Sequence, residues 1–375
     1  MKISIITVCY NSEKTIERAI KSVIVQGYSE LEYIVIDGGS ADNTCDIIQK
    51  YENAITYWVS EPDQGIYDAM NKGIAASTGD IIAFLNSDDW YESNTFERVK
   101  EYFSESDADM VSGCICCVRN GECSIIHSKV QDNSDDYFLD IGFPHPALFA
   151  RAKVFKRYGA FDTDYKIAAD YDWMLRVCLA GVKVLVVNDC FTFFSYGGVS
   201  TLRRYDALKE QYKAALTAIQ WHKKEHLREH LREYYERELY FAKRETAYNR
   251  AISYQINKIR TLLDIRRVYY IWGVGVRGKQ CRDLLVRAKI SIAGFIDSYT
   301  DLTECDGYRV FRPDSIEPDA IVCVTPKQYE NEIRIQLKEM GMAEDNIILF
   351  SNLVERIIQL GETDYNEDYS HYCLL

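Results

Sequence analysis

The chain opens on "ISIITVCY" (3–10), a near-continuous apolar run of the kind that marks a strand buried on both faces. The polar stretch that follows carries apolar residues at Ile16, Ala19, Ile20, Val23 and Ile24, a helical stripe, with Ser12 placed to cap it. "LEYIVIDGGS" reads as a second buried strand and "NTCDIIQKYE" as a second helix. "ITYWVSEPD" and "IYDAMNKGIAAS" give a third pair, and "GDIIAFLNSDD" a fourth strand. Strand and helix alternating at this short spacing predict an open parallel α/β sheet with helices on both faces. After residue 100 the pattern becomes strand-rich and mixed: "DMVSGCICCV", "SIIHSK", "ALFAR", then a helix at "DYDWMLRVCLAG" and a strand at "KVLVVN". Residues 205–264 lack Pro and Gly and read as two or three helices. "VYYIWGVGVRGKQ" begins a second α/β unit that runs to about residue 354. The pattern divides the chain into 1–205, a helical linker at 206–265, a second unit at 266–355, and a tail at 356–375. In that tail "GETDYNEDYS" is too acidic to build a core and reads as disordered.

Composition narrows the classes. A formal charge of −13 over 375 residues argues against nucleic acid as the partner. No run approaches the ~18 apolar residues of a membrane span. The N-terminus lacks the h-region and cleavage site of a signal peptide, so a cytoplasmic protein is expected. The 12 cysteines lie in apolar context, Cys9, Cys178 and Cys323 among them, and read as reduced, buried small side chains. "CICC" (114–117) has no partner pair at zinc spacing, which argues against a metal there.

The acids raise a sharper question. Asp88 and Asp89 stand side by side at the tip of an apolar strand, where like charges repel and something positive must compensate them. In open α/β sheets ligands bind beyond the carboxyl ends of the strands. Here those ends carry Thr7, Tyr10 and Asn11, then Asp37, then Glu61 and Asp63, then Asp88 and Asp89. Any one acid could be a turn former, as Asp42 and Asp80 are best read. Four acid-bearing or polar tips on one crevice suit a hard divalent cation, Mg²⁺ or Mn²⁺, completing its shell with diphosphate oxygens.

"TVCYN", "VIDGGSADNT", "SEPDQGIYDAMNKGIAASTGDIIAFLNSDD" and "GAFDTDYKIAADYDWMLR" together resemble the family 2 glycosyltransferases of GT-A fold, the bacterial exopolysaccharide, O-antigen and capsule enzymes above all. The resemblance covers about residues 1–205. It implies an α/β fold with a mixed sheet, and an inverting transfer from a nucleotide-sugar donor, a UDP-sugar by preference, to a saccharide or polyprenyl-linked acceptor. It further implies that Thr7, Val8 and Tyr10 wall the nucleobase and ribose. Asp37 would accept a hydrogen bond from the base, and Asp63, Asp68 and Asn71 would shape the donor pocket. Asp89 would ligate the metal, with Asp88 either at the ribose or supporting the metal's ligands from behind. Met70 replaces an Arg common in relatives, leaving Lys72 as the cation for the leaving group. Asp170 matches the place of the catalytic base, with Ala169 in place of the usual Glu and Asp172 as the fallback. His145 would lie on the acceptor or phosphate side. By the residues alone, both aspartates of "AADYDWMLR" sit where a helix is capped, and one of them is expected to cap. "FFSYGGVST" (193–201) reads as a loop hinged at Gly197 and Gly198 that closes over donor.

The charged helical linker is read as a solvated connector, with a dimerising helical pair or a peripheral contact at the inner membrane face as the other readings. In the second unit, Gly273, Gly275 and Gly278 follow a strand and precede a helix, and Asp297 ends the next strand. That is the dinucleotide-binding layout. The unit resembles small Rossmann-like domains of sugar-modifying enzymes. With no catalytic set for redox chemistry, a nucleotide-binding relic or scaffold is expected rather than an NAD enzyme. Two other readings of the whole remain: a non-catalytic sugar-nucleotide-binding regulator, and a bifunctional enzyme whose second unit is redox-active.

Overall fold

The computed structural model describes residues 1–119, 122–195 and 197–363. The chain forms two compact units that divide between Leu239 and Tyr240.

The first unit runs β1 (Ile3–Cys9), α1 (Ile16–Ile24), β2 (Leu31–Asp37), α2 (Thr44–Lys50), β3 (Tyr57–Ser60), α3 (Ile66–Ala76), β4 (Ile81–Asn86), β5 (Trp90–Tyr91) and α4 (Thr95–Glu105). It continues with β6 (Met110–Arg119), β7 (Glu122–Ile126), β8 (Leu148–Arg151), α5 (Ala152–Tyr158), α6 (Ala169–Leu179), β9 (Val184–Ser195), α7 (Val199–Leu202) and α8 (Arg204–His222). The sheet order is β3-β2-β1-β4-β8-β6-β9-β5, with β7 paired to β6. The first four strands are parallel, as the alternation predicts, and β8 enters antiparallel to both β4 and β6. All seven residues of β1 are buried, as expected for a central strand covered on both faces. On α1 the stripe Ile16, Ala19, Ile20 and Val23 is fully buried. α3 lies so close to β1 that a Cβ at Gly73 would stand 2.3 Å from Ile6 Cγ2, so only glycine fits there.

Several local expectations shift. Thr15, not Ser12, is the residue before α1; Ser12 forms the preceding turn, its carbonyl accepting from the N–H groups of Thr15 and Ile16. Phe193–Ser195 extend β9 instead of starting a loop, so the segment after the core is shorter than expected, and Tyr196 lies outside the described residues. Cys116 and Cys123, on the paired strands β6 and β7, form a disulfide, unlike the reduced set expected. The helical stretch is divided as well: α8 and the start of α9 (Arg228–Tyr254) belong to the first unit.

The second unit comprises the rest of α9, then α10 (Ile256–Arg260), β10 (Val268–Trp272), α11 (Val276–Arg287), β11 (Ser291–Ile296), β12 (Glu304–Cys305), β13 (Tyr308–Phe311), β14 (Ile321–Val324), α12 (Glu330–Glu339), β15 (Ile347–Leu349) and α13 (Phe350–Thr363). Its sheet order is β12-β13-β11-β10-β14-β15, parallel except at β12. It has its own core, with Ile271, Leu284, Phe295, Cys323 and Phe350 buried. The residues expected to begin a disordered tail instead finish α13, which is helical through Thr363; the remainder of that tail lies outside the described residues. Among the described residues, no helix is long and apolar enough to cross a membrane.

Candidate active site

Strand register sets the crevice. Cys9 pairs with Asp37, Asp37 with Ser60, and Val8 with Asn86, so four parallel strands end level with one another. The loops beyond are laced together. The Asn11 N–H donates to Ser40 Oγ at 2.7 Å, Ala41 N–H donates to Asn11 Oδ1 at 2.9 Å, and the Ser12 and Ser87 hydroxyls lie 2.8 Å apart.

Within this frame some expected donor contacts turn inward. Thr7 is fully buried and its hydroxyl accepts from Tyr33 at 3.2 Å, and Val8, on the opposite face of β1, is buried too, because the strand is covered on both sides. Tyr10, 53% exposed, is the member of that trio that faces outward. Asp37 is also fully buried. It accepts from the Gly39 and Ser40 N–H groups and from the hydroxyls of Ser40 and Ser60, so both its oxygens are engaged by the 38–40 turn and the end of β3. Burial alone would raise its pKa, and those bonds outweigh burial and lower it. Asn71 is similarly occupied: its amide donates to Phe161 O at 2.9 Å and accepts from Phe161 N–H at 3.0 Å, clamping α3 to the segment before α6. Asp63 accepts from Gly65 N–H and Asp68 from Gln64 N–H, both in the loop that opens α3. Lys72 pairs with Glu61 at 2.9 Å.

Asp88 and Asp89 form the turn after β4. Asp89 is fully buried, and burial first, then the Asp88 carboxylate, push its pKa up to about 8. Burial raises Asp88 as well. The compensation sought in the sequence comes partly from residues it did not reveal. Ser195 N–H, at the end of β9, donates to Asp89 Oδ1 at 2.9 Å, and Ser195 Oγ donates to Asp88 O at 2.5 Å. Arg18 of α1 donates to Asp88 O at 2.7 Å and lies 3.8 Å over the Trp90 ring, which stacks on Phe193. Asn86 Nδ2 lies 3.4 Å from Asp89 Oδ2, while Asn86 Oδ1 is buried with no hydrogen-bond partner. An orphan acceptor beside two strained carboxylates is a donor set that fits a divalent cation. Among the described residues, no cluster of three or more His, Cys, Asp or Glu could hold a metal, "CICC" included.

The far side of the crevice is built by α6. Neither Asp170 nor Asp172 caps this helix: Ala168 holds the cap position, and the N–H groups of Lys166, Ile167 and Ala168 are taken by the Glu210 carboxylate of α8. Asp172 binds Arg176 Nε at 2.9 Å, and Arg176 in turn grips the carbonyls of Tyr158 and Ala160, so Asp172 is committed to structure. Asp170 is half-buried and lies 2.9 Å from the Tyr67 hydroxyl. His145 is buried and stacks on Phe84 of β4 at 5.3 Å; burial lowers its pKa, and the Asp170 carboxylate partly offsets that. The structure thus brings Asp170, His145 and Tyr67 together. Tyr67 could have been found from the sequence, inside "QGIYDAMN"; Arg18, Glu210 and Ser195 carry no local signal.

In the second unit Gly278 is required by packing, since a Cβ there would stand 1.9 Å from Gly273 O. Gly275 faces open space ahead of α11, and Asp297 accepts from the N–H groups of Tyr299 and Thr300 in its own turn.

Four parallel strands of an α/β sheet thus end level with one another, with the Asp88–Asp89 turn, Asp89 fully buried, following β4. Residues 4–157 match the family described as Glycosyl transferase family 2, and residues 266–348 match one described as C2185-like, N-terminal. The chain is 33% identical over 187 residues to an uncharacterized glycosyltransferase of Mycobacterium tuberculosis, across 49% of this chain and 71% of that protein. It is 29% identical over 180 residues to a PGL/p-HBAD biosynthesis glycosyltransferase of Mycobacterium bovis, across 46% of this chain and 68% of that one. Among solved structures, S. aureus TarS 1-349 in complex with UDP-GlcNAc aligns at a TM-score of 0.47 and 21% identity, over 57% of this chain and 66% of that chain. The chain belongs to glycosyltransferase family 2, and it is an enzyme of that family.

Proposed function

We propose that the first unit transfers a sugar, with inversion, from a nucleotide-sugar donor of the UDP-sugar class to a saccharide or lipid-linked saccharide acceptor in surface polysaccharide assembly. The observation that carries this reading is the Asp88–Asp89 turn, with Asp89 fully buried and the orphan Asn86 Oδ1 beside it. Asp89, Asp88 and the donor's diphosphate would hold Mn²⁺ or Mg²⁺, which when bound neutralises charge developing on the leaving nucleoside diphosphate. Tyr10 and Asp63 line the donor side, and Arg18 with Ser195 holds the acidic turn in place. On the acceptor side Asp170 takes the proton of the attacking hydroxyl as the new C–O bond forms, and the bond to the diphosphate breaks with its electron pair leaving on phosphate oxygen. His145, buried against Phe84, shapes the floor beside Asp170. The test is Asp89→Ala in the full chain: turnover of UDP-sugars and the Mn²⁺-dependent thermal shift should both vanish. Near wild-type turnover with Mn²⁺ supplied would overturn the metal assignment.

For the second unit we propose a scaffold or a relic of a nucleotide site. The commitment of Asp297 to its own turn favours this over an NAD-dependent redox function.

A further inference from the structure

Tyr67 sits in the first turn of α3, 6% exposed, its ring tilted against Phe161 at 5.5 Å. A phenylalanine would fill the same space, so the buried hydroxyl must be accounted for by its partners. It has two acceptors, Ile167 O at 2.7 Å and Asp170 Oδ1 at 2.9 Å. Asp170 Oδ1 also accepts from Tyr171 N–H at 2.9 Å. One carboxylate oxygen thus faces two donors, while Oδ2 takes none among the described residues.

We propose that Tyr67 is a positioning residue for the base: its hydroxyl fixes Asp170 Oδ1, so that Oδ2 is the oxygen presented to the acceptor hydroxyl. The proposal rests on the assignment of Asp170 as base. A hydroxyl has a single proton, and while Asp170 is ionised the charge-assisted bond to the carboxylate draws it. Once Asp170 has taken the acceptor's proton on Oδ2, the hydroxyl turns to Ile167 O and stays bonded. The pair of acceptors keeps the buried phenol satisfied in both protonation states of the base. Because Tyr67 belongs to α3, at the donor side of the crevice, and Asp170 to α6, this bond also ties the base to the donor wall.

The other groups facing this pair are His145 from the segment ahead of β8 and Glu210 from α8, which Tyr67→Phe leaves in place. On α6 itself, Asp172 and Arg176 neutralise each other.

Two readouts on the full chain test the proposal. The first is kcat and KM of donor hydrolysis with Mn²⁺, using a panel of UDP- and GDP-sugars, for Tyr67→Phe, Asp170→Asn and the double variant. The second is the ¹³C chemical shift of the Asp170 carboxyl at one fixed neutral pH on aspartate-labelled protein, assigned by difference from Asp170→Asn. In Tyr67→Phe the carboxyl signal should move, because Oδ1 loses its hydroxyl donor. Hydrolysis should fall about tenfold with donor KM unchanged, as for a base mis-aimed but present, and that loss should vanish in the Asp170→Asn background. If Tyr67→Phe does not fold, Tyr67→Met carries the same test without a donor group. An unmoved carboxyl signal overturns the positioning role, even if melting temperature falls, since that is the mark of packing alone. Wild-type hydrolysis by Asp170→Asn overturns the base assignment and the positioning role with it. If no donor in the panel is hydrolysed, the carboxyl signal decides.

Discussion

Two aspartates two positions apart on one helix have opposite roles, and their partners show why. Asp172 is matched by Arg176, which binds two carbonyls of the preceding turn. Asp170 has no cation, and one of its oxygens is free of donors among the described residues. Asp170→Asn should therefore keep donor and metal binding while transfer falls on the order of 10² to 10⁴-fold, measured as kcat with initial rates. Asp172→Asn should instead lower stability by about 1–3 kcal/mol in urea denaturation, because Arg176 is left half-buried without its carboxylate. A dead Asp172→Asn beside an active Asp170→Asn would move the base two residues along.

Helices and strands here are fastened by single charged side chains. Glu210 of α8 receives three successive N–H groups, Lys166 to Ala168, in the segment that leads into α6. Glu210→Ala should cost about 1–3 kcal/mol and slow transfer, since the base rides on that helix turn; denaturant midpoints and kcat check the two effects separately. At the opposite end of the sheet Glu32 ties β1, β2 and the segment before β4 together through Lys2, Ser4 and Thr78. Burial alone would raise its pKa, but those partners hold it at about 2, against 4.5 when unperturbed. A folded pKa below the unfolded one means stability that is present in full above pH ~4.5 and lost as pH falls toward 2. Wild type should therefore lose roughly 1–3 kcal/mol more than Glu32→Gln across that window, read from urea melts at stepped pH.

Each unit of the whole molecule has its own sheet and its own buried core. Calorimetry should resolve two unfolding transitions. UDP with Mn²⁺ should raise only the one belonging to the first unit, because a ligand that binds a native state stabilises what it binds. Movement of both transitions together would place a nucleotide in the second unit as well.

The order of elements was legible because it rests on periodicity: β1, β2 and β4 are apolar on both faces, and α1 shows its stripe wherever it is met. The acidic turn at Asp88 and Asp89 was legible too, since adjacent like charges at the tip of an apolar strand must be explained locally, whereas Asp170 was set apart from Asp172 only by the family resemblance. What faces the ligand was not. Thr7, Asp37 and Asn71 stand at strand tips or helix starts in the sequence, but the fold spends their hydrogen bonds on Tyr33, the 38–40 turn and Phe161. Arg18 and Ser195 reach the site across separations of 70 and 107 residues, and Glu210 across 42 to 44. A local pattern records which face of an element is buried; which long-range partner claims a buried polar atom is settled only when packing brings the elements together.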